Sequence, residues 1–150
     1  MRLVSGENFN GYDFNIEDIA HSLSMICRWG GHTKTWHSVA EHSVRVCYEL
    51  TGRDRCWGLL HDAAEYIWGD LCTPLKVWVP DYNDHVTILQ GHIYQYFGLD
   101  GFVPETVHTA DLKIKQWEYD NYVIAEGDSW PQESSRLCFL GTFAANFTIT

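Results

Sequence analysis

The sequence predicts an all-α domain of five or more helices. Apolar residues recur at helical spacing in one segment after another. Those segments open on capping residues and close on glycines, with short connections between them. The chain also shows no internal repeat, low-complexity tract or linker, so residues 1–150 read as a single domain.

The first helix starts at Asn15, paired with Asp18 in the manner of a capping box, and carries Ile16, Ile19, Leu23 and Ile26 towards "RWGGH". The second opens on Ser38-Val-Ala-Glu41, an S-x-x-E capping box, and places Val39, His42, Val46 and Leu50 on one stripe before Gly52. The third runs from about Asp54 to Trp68, with Trp57, Leu60, Ala64 and Ile67 inward and Gly69 as its C-cap. A packing helix follows over Asp81 to Phe97, with Ile88, Leu89, Ile93 and Tyr96 ahead of Gly98. The last long helix takes Pro104 in its first turn and runs towards Glu126 on a stripe of Val107, Ala110, Ile114 and Trp117. The end, "CFLGTFAANFTIT", is apolar and β-branched enough for a strand or a docked tail.

Composition narrows the function classes. A net charge of −10 without a Lys/Arg cluster excludes the broad basic surface that duplex nucleic acid needs. No apolar run approaches the length of a membrane span, and the N-terminus "MRLVSGENFNGYDFN" lacks the pattern of a secretory signal. The expected location is the cytoplasm, that of the host for a phage-encoded chain. Five cysteines without a C-x-x-C pair suit reduced thiols serving as small core hydrophobes.

Three helices nevertheless each carry an ionisable group in or beside an apolar stripe: His42, His61 and Asp111, with Asp62 adjoining His61. A buried polar group without a partner costs about 2–7 kcal/mol, so these residues need one another or a cation. Side chains from three packed helices can converge on one point, and two imidazoles with two carboxylates make a good divalent-cation site. Such a mixed N/O set suits Mn, Fe, Co, Ni, Zn or Mg, and the cation would acidify water for hydrolysis. Glu65, four residues after His61, falls on the same helical face, and Asp70 lies just past the helix end. Both are either solvated surface acids or working groups, Glu65 on the water and Asp70 on a second cation bridging phosphates.

The strings "SVAEHSVRV", "GLLHDAAEYIWGDLCTPLK" and "TADLK" together resemble the H…HD…D pattern of the HD-domain phosphohydrolases, over most of the chain. The flanking "RWGG", "HDAAE", "GD" and "TPLK" look like the branch that holds bacterial 5′-deoxyribonucleotidases and the phage and bacterial triphosphohydrolases acting on dATP. The resemblance implies an HD-domain helical bundle with His42, His61, Asp62 and Asp111 as metal ligands and Glu65 as the acid-base or water-positioning group. It implies active-site roles for Asp70 and for Arg28 and Trp29, the latter two on the phosphate and near the sugar or base. Lys34 and Lys76 are candidates for outer phosphates, and His108, one turn before Asp111, for a substrate contact. His32 and His37 are candidates for supporting donors. The expected activity is a deoxynucleoside triphosphohydrolase on dATP. The alternatives are a 5′-deoxyribonucleotidase on monophosphates and a helical domain that binds metal or nucleotide without turnover. Relatives of this type also imply a homo-oligomer, a dimer or a hexamer.

Overall fold

The computed structural model describes Phe9 and residues 11–147. The first eight residues and 148–150 lie outside them, and with them most of the stretch read for a secretory signal and the end of the C-terminal segment. The element order is α1 (Ile16–Met25), a 3-10 turn (Trp29–Gly31), α2 (Val39–Tyr48), α3 (Asp54–Leu60) and α4 (Glu65–Trp68). Then come α5 (Thr73–Lys76), α6 (Pro80–Tyr96), α7 (Glu105–Glu118), a π-helical turn (Tyr119–Ile124) and α8 (Gln132–Asn146). Among the described residues the fold is all-α without a strand, and no helix is long and apolar enough to cross a membrane.

The centre of the domain is α2, which packs against α1, α3, α7 and α8. Val39, Ala40, Val44, Val46 and Cys47 are buried all round it, which is the signature of a helix enclosed on every side. His42 and the neighbouring Glu41 are therefore buried as well. Ser38 caps α2 through a bond from the Glu41 amide at 3.1 Å, but the Glu41 side chain does not return to Ser38. It serves His37, Arg45, Tyr122 and the Trp130 amide instead, so the capping box is half made. Asn15 caps α1 by accepting from Glu17 and Asp18.

The third helix departs from the expected continuous run of Asp54 to Trp68. The chain breaks between Leu60 and Glu65, where Ala63 N–H bonds Leu60 O at 2.9 Å and Glu65 N–H bonds Asp62 O at 3.0 Å, each three residues back. The Gln90 side chain, from α6, splints this break: its oxygen accepts from Ala64 N–H at 2.8 Å and its amide donates to Leu60 O at 2.6 Å. His61 and Asp62 thus sit on a turn between two short helices. Gly69 does end α4, with φ 75° and its N–H on Glu65 O.

Other expectations shift in detail. Ile88 and Tyr96 are exposed, and α6 buries Leu89, Ile93 and Tyr94. Pro104 caps α7 from just outside, Trp117 lies at the surface, and the helix turns π-helical after Glu118 instead of continuing to Glu126. Residues 138–146 are helical, part of α8, because Ser135, Phe139 and Thr142 form a buried i, i+4, i+7 stripe against α1 and α2. Cys47 and Cys56 are core residues, whereas Cys72 and Cys138 are exposed; all five thiols are free.

Candidate functional site

The two histidines meet end to end. His42 Nε2 and His61 Nε2 are 3.2 Å apart, and Asp111 Oδ1 lies 3.0 Å from the first and 3.7 Å from the second. The far side of each ring is already bonded. His42 Nδ1 faces Glu118 Oε1 at 2.6 Å, and His61 Nδ1 faces the Gly58 carbonyl at 2.7 Å. Both partners are acceptors, so each Nδ1 carries a proton and each Nε2 presents a bare lone pair to the shared centre. Asp111 Oδ1 is buried without a hydrogen bond. Three acceptors converging at this range repel unless a cation lies among them. His42, His61 and Asp111 therefore form a group that could hold a metal ion, with ligand atoms all within 4.8 Å of one another.

Asp62 stands at the same place without joining that mutually close set: its Oδ2 is 3.2 Å from His61 Nε2 and 3.6 Å from His42 Nε2. Without a metal, a proton does the bridging. Burial alone would lower the His61 pKa, but Asp62 and Asp111 outweigh it and push it up to about 10. Burial likewise works against the charge on both carboxylates, yet the histidines hold Asp62 and Asp111 well below the usual carboxylate range. Lys115, four residues on, donates to Asp111 Oδ2 at 2.6 Å.

Glu118 organises the wall behind His42. It is fully buried and accepts from His42, from His37 Nε2 at 2.8 Å, from Arg28 Nε and Nη2 at 3.1 and 3.0 Å, and from Trp29 Nε1 at 3.2 Å. Burial opposes its charge, but His42 and Arg28 keep its pKa far down. His37 passes the chain on to Glu41, 3.1 Å from its Nδ1. Sequence reasoning gave Glu118 no role, although it stands seven residues after Asp111 and so on the same helix face.

A cavity of about 410 Å³ opens beside this centre, lined by Arg28, Trp29, His32, Asp62, Glu65, Asp70, Leu71, Cys72, Pro74, Lys76 and Lys115. Arg28 arrives there because a short antiparallel bridge ties its strand of chain to the start of α2, with Arg28 N–H on His37 O at 2.9 Å. Its Nη1 reaches to 3.6 Å from Asp62 Oδ2. Trp29 holds a left-handed backbone, φ 58°, rare for a non-glycine residue and retained here by its indole bond to Glu118. Glu65 is buried, with Oε2 unpartnered and Oε1 3.6 Å from Lys76 Nζ. Burial, then Asp62 and Asp70, raise its pKa well above the ordinary value. Asp70 lies 4.0 Å from Lys76, and among the described residues no second group of three or more ligands forms around it.

Of the residues picked from sequence, His42, His61, Asp62, Asp111, Glu65, Asp70, Arg28, Trp29 and Lys76 are thus gathered in one place, and His37 stands behind them. Lys34 and His108 do not line the cavity. Lys34 bonds the Ile124 carbonyl at the π-helical turn, and His108 lies on the exposed side of α7. Lys115 was missed, though its i+4 spacing from Asp111 was visible.

Comparison with known proteins gives two relatives. Over 137 residues, 87% of this chain and 76% of the other, the sequence is 34% identical to the uncharacterized Escherichia coli K12 protein YfdR. The chain belongs to the family of YfdR. It is also 38% identical over 126 residues to an uncharacterized Rhodobacter capsulatus protein, covering 73% of this chain and 64% of that one. No protein-family profile matches the chain.

Proposed function

We propose that the protein is a metal-dependent phosphohydrolase of HD type that removes 5′-phosphate groups from deoxynucleotides. The observation that carries this is the meeting of His42 Nε2, His61 Nε2 and Asp111 Oδ1, all acceptors, beside a cavity that holds Arg28, Lys76 and Lys115. His42, His61 and Asp111, with Asp62 next to them, would hold a divalent cation such as Mn, Co, Zn, Ni, Fe or Mg. That cation supplies Lewis acidity and acidifies water towards neutral pH. Arg28, Lys76 and Lys115 gather phosphate oxygens and offset charge as the ester bond breaks. Glu65, whose pKa burial, Asp62 and Asp70 raise, is suited to give a proton to the leaving oxygen or take one from water.

The leading substrate is a deoxynucleoside triphosphate such as dATP, with Lys76 and Lys115 on the outer phosphates. A second reading, a monophosphate substrate, is favoured by the placement of Lys34, which leaves one cation fewer for a long phosphate chain. On the same proposal the protein works in the cytoplasm as a homo-oligomer, for which the exposed run Val77, Trp78 and Val79 offers an apolar surface.

The test is to assay dATP and dAMP with Mn, Co or Mg and to quantify nucleoside and phosphate. Nucleoside from dATP supports the triphosphate form, and turnover of dAMP alone moves the assignment to the monophosphate. No turnover of either with any metal overturns the proposal. Asp62→Ala is expected to abolish activity and weaken metal binding while helical content is kept.

A further inference from the structure

A second cavity, of about 370 Å³, is lined by Trp29, Leu112, Lys115, Gln116 and Tyr119. Trp29 and Lys115 also line the first cavity, so the two are neighbouring parts of one groove. Its ends differ in chemistry. Arg28 and Lys76 offer cationic groups beside Asp62, Glu65 and Asp70 at one end, whereas Leu112 and Tyr119 leave apolar and aromatic surface open at the other, being 53% and 39% exposed. A ligand that fills both ends carries a phosphate at one terminus and a flat apolar ring at the other.

We infer that Leu112, Gln116 and Tyr119, together with Trp29, form a nucleobase subsite for the same substrate; this rests on the phosphohydrolase reading above. Leu112, Gln116 and Tyr119 are spaced i, i+4, i+7 and share one face of α7 as it enters the π-helical turn. The Trp29 and Tyr119 rings are 5.9 Å apart between centroids and inclined by 49°. A base sandwiched between two rings needs about 7 Å, two contact distances of roughly 3.5 Å, so the base lies against Tyr119 with Leu112 beneath it. Gln116 supplies the polar contact. Its Nε2 donates to Asp120 Oδ1 at 3.1 Å, which leaves Oε1 to accept an N–H from the base edge.

Calorimetric titration of the Mn-loaded Glu65→Gln protein, in which turnover is held back, compares dAMP with 2-deoxyribose 5-phosphate, the same ester without its base. The expected result is about tenfold tighter binding of dAMP, within the range lost when one stacked base is deprived of its aromatic partner. Adding Tyr119→Ala should bring the two affinities together, and Tyr119→Phe should restore the gap. Equal affinity of both ligands for the Glu65→Gln protein, or a gap that survives Tyr119→Ala, overturns the subsite and leaves the phosphohydrolase reading standing. Binding of neither ligand overturns both.

Discussion

Glu118→Gln replaces one carboxylate oxygen by an amide nitrogen at a point where four side chains expect an acceptor. The side chain is fully buried, and its cationic partner Arg28 is 6% exposed, so little solvent can substitute for the lost charge. Removing one member of a buried ion pair costs about 3–5 kcal/mol. Glutamine keeps the volume and one carbonyl oxygen, which favours the lower end, about 3 kcal/mol. For a domain of this size each kcal/mol moves the melting temperature by roughly 2–4 °C, so a fall of about 6–12 °C is expected.

The same substitution releases the His42 ring. With an amide N–H directed at Nδ1, the tautomer that bares Nε2 is no longer favoured, and groups that orient a ligand in this way are worth about 10–100-fold in metal affinity. Thermal melting with and without chelator, together with Mn or Co titration, measures both quantities. Glu133→Gln is the control, since its pair with Arg136 is at the surface and its loss should leave the melting temperature unchanged. A variant that melts within about 2 °C of the parent and binds metal within about twofold of it would refute the account of Glu118 as the group that fixes His42 and Arg28.

Three further outcomes follow from the same geometry. The His61 pKa, carried up to about 10, means that the chelated protein holds an extra proton, whose stabilisation is complete below about pH 6.5 and fades as pH rises towards 10. Metal uptake at pH 8 should release about one proton, measured by calorimetry in two buffers of different ionisation enthalpy, and uptake without release would contradict the shared centre. Glu65 has a raised pKa, so its ionisation in the folded state opposes stability as pH climbs above the ordinary value of 4.5. Glu65→Gln should therefore melt higher than the parent at pH 8, match it at pH 4 and lose turnover; equal melting temperatures at both pH values would count against a raised pKa for the buried Glu65. Gln90→Ala leaves Ala64 N–H unpaired and takes one of two donors from Leu60 O, which keeps its bond from Ala63 N–H, at the break before α4; the loss is about 2 kcal/mol or roughly 4–8 °C, with weaker metal binding because His61 is no longer held.

How much of this was legible in the chain depends on how local the cause is. Asn15, Ser38 and Gly69 act within a few residues, and each ends or begins a helix where its chemistry predicts. The break at 61–64 has a distant cause: the amide that satisfies it belongs to Gln90, and no periodicity in "CWGLLHDAAEYIWGD" announces it. Helix α8 was obscured differently. Its inward stripe includes Ser135 and Thr142, so a search for apolar residues alone sees only Phe139 and the β-branched tail. His42, His61, Asp62 and Asp111 were legible because a cluster of unpaired ionisable groups on apolar faces is costly wherever it folds, whereas Arg28, Trp29 and Lys76 were pointed to only by the resemblance of their flanking motifs.

The missed groups show what the break and α7 do together. Asp111, Lys115 and Glu118 occupy successive turns of one helix face: Asp111 faces both histidines, Lys115 holds the other oxygen of Asp111, and Glu118 holds the back of His42. A helix is stiff along its axis, so these three keep fixed spacing, and any shift of α7 moves Asp111, its counter-charge and the partner of His42 as one. His61 and Asp62, by contrast, sit on a turn whose direction is set by Gln90 and by the Gly58 carbonyl. An uninterrupted third helix would point His61 and Asp62, as adjacent residues, about 100° apart around its axis. Asp62 Oδ2 and His61 Nε2 nevertheless lie 3.2 Å apart at the same centre. One short stretch of chain, splinted by Gln90, thus presents both groups to a site whose other half is carried on one stiff helix face.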